Sequence, residues 1–246
     1  MSTTHDTGHA TNLANFQKLI SYCSAMEEAY NPSNPALSIA HLQMLSSEGR
    51  RILTECEHKR IDFNSAVYVR KSAFKHLKSL STKIVNSLAI SGVSNSTIDN
   101  AKRINRRIQG KRANASKAKV GVEDNSEDIK TISSSQLSFN YLVEHLFAMI
   151  SLLKSQPMYQ PNEVELKVET LEAYLSELRE KNTTVMQAHT TWAMIRMERV
   201  KLFYQEKTGL VDTALAVKAY FKSVYGTQSY QYTLVKGIAF RNIKLR

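Results

Sequence analysis

The chain has 246 residues, 42% of them apolar, which is enough for one large domain or two small ones with a real core. Its 33 Lys and Arg outweigh 22 Asp and Glu, giving a net charge of +11 that favours acidic partners and says nothing about fold. Four Pro and eight Gly leave long unbroken periodic runs, so an all-helical protein is expected and an all-β one excluded.

Residues 1–11 are polar and are expected to form a disordered tail. Without an apolar h-region they do not read as a signal peptide. From Asn12 to Tyr30, Leu13, Phe16, Leu19, Ile20 and Cys23 recur at helical spacing, and Asn31-Pro32 ends the run. A helix is then predicted over 35–60, its period continues through 63–80, and further helices are predicted over 82–91 and 96–109. Gly92 and Gly110 are their stops.

Residues 111–134 hold few large apolar side chains. They run from Lys-rich to acidic, ending at Glu123-Asp-Asn-Ser-Glu-Asp128, and read as a linker. Residues 136–155 carry apolar side chains all round, which predicts a central or interfacial helix. No run of apolar residues is long enough to span a bilayer, so a cytoplasmic protein without membrane association is expected.

From Val164 the apolar positions step by four and three through Val168, Leu171, Leu175, Leu178, Val185 and Trp192. That phase predicts one long helix, straight or kinked, over 163–206, about 65 Å in length. Thr184-Val-Met-Gln187 fits a capping box and opposes it, because a capping box starts a new helix. Residues 210–225 form a clean amphipathic helix stopped by Gly226.

The stretch Tyr159–Phe203 has a faint twin in Tyr30–Phe74. Leu37, Ile39, Leu42, Arg70 and Phe74 recur as Leu166, Val168, Leu171, Arg199 and Phe203 at a constant offset of 129. The expected architecture is therefore two tandem homologous helical-bundle units, each built around a long helix. Copy one covers 12–110, the linker 111–134 and copy two 135–246.

Chemical motifs are sparse. Glu55-Cys-Glu-His58 is a single Glu-x-x-His pattern. A di-metal bundle needs two, and the equivalent positions hold Thr184 and Gln187. His145 and His189 lie near apolar faces, where a boundary histidine is commoner than a ligand. Cys23 and Cys56 lack metal-ligand spacing and are expected to be buried thiols. No catalytic residue, metal site or cofactor is predicted.

The basic run is the exception: Lys102, Arg103, Arg106, Arg107, Lys111, Arg112, Lys117 and Lys119 fall within 101–122 with no acid among them. Recurrence at i, i+4 makes a positive helix face that could follow phosphates, although no aromatic accompanies it to stack bases. The competing reading is a solvated linker neutralised by the neighbouring acids.

Ile104–Arg112, Thr208–Gly226 and the Tyr159-Gln-Pro-Asn-Glu163 turn resemble an uncharacterised Bacteroidota family of duplicated helical proteins. The resemblance implies duplication and a bacterial cytoplasmic setting, and transfers no site residue. The leading functional expectation is a non-enzymatic structural or protein-interaction protein that binds a protein partner or itself. The alternatives are nucleic-acid or other polyanion binding through 102–119, and a metal-dependent bundle enzyme.

Overall fold

The computed structural model describes residues 4–110 and 138–242, and they are helical throughout, with no strand among them. The main helices are α1 (Thr4–Ala25), α2 (Ile39–Ala73), α3 (Leu77–Ile90), α4 (Asn95–Gln109), α5 (Phe139–Lys154), α6 (Val168–Tyr204), α7 (Leu210–Tyr225) and α8 (Tyr230–Lys236). The expected linker 111–134 lies outside the described residues.

The N-terminal expectation is corrected. Residues 4–11 belong to α1, and His9 is 3% exposed against the rings of Phe203 and Tyr204. Polar composition misled here because the segment is ordered by distant partners and not by its own apolar content. The expected continuation of the helical period from 35–60 into 63–80 is present as one long helix, but it stops short of residue 80. α2 is continuous for 35 residues and ends at Ala73, and α3 begins at Leu77.

Two features start and carry α2. Asn34 accepts a hydrogen bond from Ala36 N, setting a one-turn helix at Pro35–Leu37, and Ser38 Oγ accepts from His41 N. Along the exposed middle, Arg51 pairs with Glu48 and Glu55, and Arg60 with Glu57, at i, i+3 and i, i+4. Gly49 sits in the interior of this helix because nothing larger fits easily. A Cβ there would lie 3.1 Å from Leu13 Cδ1.

α6 runs unbroken for 37 residues through Asn182. The capping box at Thr184 does not form. Thr183 Oγ1 and Thr184 Oγ1 donate back to Arg179 O and Glu180 O at 3.1 and 2.9 Å, which keeps both residues inside the helix.

The chain folds into two compact units, and they do not follow the expected boundaries 12–110 and 135–246. Unit 1 combines residues 1–64 with 188–246, and unit 2 is 65–187. In unit 1, α7 packs on α1, α8 and the Pro35–Leu37 turn. Its core centres on the fully buried Phe16, Leu19, Leu42, Phe203, Leu210 and Phe221. In unit 2, α4 packs on α3 and α5, and α3 packs on the one-turn helix Val164–Leu166. Its core centres on Leu77, Ile84, Leu88, Ile108, Leu146 and Met149.

Detail recurs between the units. Tyr30 Oη donates to Leu37 O at 2.7 Å in unit 1, and Tyr159 Oη to Leu166 O at 2.9 Å in unit 2. The buried set Asn12, Leu13, Phe16, Leu19, Ile20 and Cys23 of α1 recurs on α5 as Leu142, Val143, Leu146, Met149, Ile150 and Leu153. α5 is therefore one-sided: Phe147, expected to be inside, is 46% exposed under the Arg179 guanidinium.

Candidate polyanion interface and the polar interior

α4 is the element on which the basic residues lie. Ser94 Oγ accepts from Thr97 N to start it, and Gly110, at φ +71°, closes it by donating to Arg106 O and Arg107 O. Ile98, Ala101 and Ile108 are buried, which fixes the rotation of the helix. Lys102, Arg103, Arg106 and Arg107 consequently all lie exposed. At about 100° per residue they span an arc of about 140° opposite the buried stripe. The other four predicted cations, Lys111, Arg112, Lys117 and Lys119, lie outside the described residues.

The face is uncompensated. Lys102 has one weak partner, Asp99, at 3.4 Å. No described carboxylate is within ion-pair distance of Arg103, Arg106 or Arg107. The pairs 102/106, 103/106 and 103/107 set like charges at i, i+3 or i, i+4, each destabilising by about 0.2–0.5 kcal/mol. The helix dipole offsets part of this for Arg106 and Arg107, which occupy the last turn. It does nothing for Lys102 and Arg103. Elsewhere in unit 2 some cations do meet acids: Lys83 meets Glu165 at 2.7 Å and Lys154 meets Glu172 at 2.5 Å.

Behind this face, α4 is locked to α3 by side chains that sequence reasoning overlooked. Ser81, fully buried, donates to Asn105 Oδ1 at 2.8 Å. Gln109 Nε2 donates to Lys78 O at 2.7 Å, and Lys78 Nζ returns a bond to Gln109 O at 3.3 Å. The spacing of Asn105 and Gln109, four residues apart beside the buried stripe of α4, was the available signal. Lys78 is thereby held beside the C-terminal end of the basic face. His145 of α5 has its pKa lowered by burial and then by the charge of Arg107, with Glu144 opposing.

The remaining candidates are structural. Glu55 accepts from Arg51 at 2.6 Å, and His58 is exposed one turn on. No group of three His, Cys, Asp or Glu able to hold a metal occurs among the described residues. His189 rests edge-on against Phe63 at 5.4 Å. Cys23 and Cys56 are buried free thiols, and burial pushes the Cys23 pKa up to about 11. In unit 1, Asn12 is fully buried and grips the chain near its end. Its Nδ2 donates to Arg241 O at 2.8 Å and its Oδ1 accepts from Arg241 N at 2.9 Å. Two open grooves of unit 2 accompany these features. The larger, about 500 Å³, is lined by His76, Lys83, Glu165, Tyr174 and Glu177.

Among the described residues no helix is long and apolar enough to cross a membrane. Compared with known proteins, the chain matches no family model, no curated protein and no solved structure.

Proposed function

We propose that this protein is a non-enzymatic interaction scaffold that binds protein, including a second copy of itself, through the outer face of α6. The observation that carries the reading is the pair Met194 and Met197. They are 54% and 66% exposed, one turn apart in unit 1, beside the half-buried Trp192. Unbranched, polarisable methionine side chains on a rigid helix suit an adaptable apolar contact. Five polar side chains are meanwhile engaged by the fold: Tyr30, Tyr159, Asn12, Gln109 and Lys218 each bond a backbone carbonyl.

The scaffold is, in this reading, a tandem duplication whose copies have exchanged halves. The first half of each copy packs with the second half of the other. Equivalent residues at the offset of 129 support it, and so does the recurrence of buried positions in α1 and α5 at an offset of 130. Phe63 and Trp192 add the most telling contact. They are equivalents at the offset of 129, and their rings stack at 5.5 Å with 18° between planes. A residue meeting its own equivalent is the mark of a self-complementary, isologous interface. The proposed ancestor is therefore a symmetric dimer whose two chains became one.

Sedimentation velocity across a concentration series tests the interaction. The wild type is expected to self-associate as concentration rises, and M194E/M197E to remain monomeric with unchanged helix content. A wild type that stays monomeric and retains no protein in pull-down refutes the proposal.

A further inference from the structure

We infer that the outer face of α4 binds the phosphate backbone of duplex nucleic acid. Four cations, Lys102, Arg103, Arg106 and Arg107, share that exposed face with one weakly engaged carboxylate, Asp99. The α3 side chain of Lys78, tied to Gln109 O, extends the positive surface past the helix end.

The fold itself does not require this charge, and the chain carries its own control. α8 has the corresponding role in unit 1. Ser229 Oγ caps it by accepting from Tyr232 N, as Ser94 caps α4. Val235 is fully buried near its end, as Ile108 is in α4, and α8 packs on α7 as α4 packs on α3. Yet α8 reads Tyr-Gln-Tyr-Thr-Leu-Val-Lys, with a single cation. A helix in this position can thus fold with an almost neutral outer face, and the four charges of α4 stand against the local repulsion between them. This comparison rests on the duplicated architecture proposed above. The charge and exposure of α4 do not.

The ligand class follows from what the face contains. Guanidinium groups form paired hydrogen bonds with phosphate oxygens, and three of the four cations are Arg. Lys102 and Arg106 are about 6 Å apart along the helix axis, comparable with the spacing of successive phosphates on a strand. The outer face of α4 has no aromatic residue on which an unpaired base could stack, which disfavours single strands.

Fluorescence anisotropy of the full chain with a short labelled DNA duplex, over a salt series, tests this. The contrast variant is K102A/R103A/R106A/R107A, with K222A, at an exposed position of α7, as control. Binding is expected at about 50 mM salt and to weaken steeply by about 200 mM. The slope of log K against log salt should be shallower in the quadruple variant by about 3.6, from about 0.9 per cation, and in R103A alone by about 0.9. K222A should match the wild type. Far-UV circular dichroism of each variant shows that it remains folded. An unchanged slope in the folded quadruple variant overturns the inference, as does the absence of duplex binding at low salt. Tighter binding to a single strand of the same length, or binding to anionic vesicles without binding to duplex, also overturns it. None of these outcomes bears on the α6 contact, which the sedimentation experiment tests separately.

Discussion

Replacing Tyr30 by Phe and, separately, Tyr159 by Phe is the sharpest probe of the repeated architecture. Each change deletes one hydroxyl and keeps the ring, so the cavity term is small. Both tyrosines are 5% exposed, and each hydroxyl donates to a carbonyl seven residues ahead, at 2.7 and 2.9 Å. The bonds span the turns that lead from α1 to the one-turn helix before α2 and from α5 to the one-turn helix before α6. Losing a neutral hydrogen bond costs about 0.5–1.5 kcal/mol, and leaving a buried acceptor unsatisfied raises that towards about 1–3 kcal/mol. Each variant should therefore be destabilised by about 1–3 kcal/mol, and the two costs should agree within about 1 kcal/mol. Because Tyr30 and Tyr159 belong to different units and share no partner, the double variant should cost the sum within about 0.5 kcal/mol. Burial also raises the pKa of both phenols above the usual value near 10.0. The folded state then holds its phenol protons while the unfolded chain gives them up, so this stability is intact below pH 10.0 and falls as pH rises beyond it. The Phe variants should accordingly lose less stability than the wild type on going from neutral to alkaline buffer. Urea denaturation followed by far-UV circular dichroism measures all of this. A neutral effect at one site beside a large effect at the other would refute the equivalence of the two turns.

Two further perturbations test other parts of the structure. Asn12→Ala removes both bonds that clamp the backbone of Arg241. It should destabilise by about 1–3 kcal/mol and speed amide exchange at Arg241, and protection unchanged at that amide would show that the clamp does not hold the segment. His145, with its pKa lowered by burial and by Arg107, binds its proton more weakly in the folded state than in the unfolded chain. Its contribution is thus present above the unfolded value of 6.5 and is lost as pH falls below it. Arg107→Ala should move the NMR titration midpoint of His145 upward and flatten the acid side of the stability profile. A midpoint that stays put would show that burial alone sets it.

Local physics made much of this protein readable without coordinates. Sparse Pro and Gly with unbroken 3.6-residue periodicity established the helices, and the unbroken phase through Asn182 pointed to one long helix, because a tight turn would have reset it. The stops at Gly92, Gly110 and Gly226 were legible too, since all three residues adopt positive φ. The basic face of α4 followed from spacing alone, because the period of a helix decides which residues share a side.

Other features depended on contacts between residues far apart in the chain. The order of residues 4–11 comes from His9 against Phe203 and from Asn12 gripping Arg241, partners that no window of neighbouring sequence contains. The recurrence of buried positions between α1 and α5 escaped comparison of residues because shape was kept while identity was not: Phe16 and Leu146 fill corresponding places. Above all, periodicity names the face that must be buried and not the face that buries it. Copy boundaries could be drawn at 12–110 and 135–246 from the offset of 129. That residues 1–64 join 188–246 in one compact unit while 65–187 form the other was decided by tertiary packing, since apolar stripes of nearly the same pattern can cover one another equally well in either pairing.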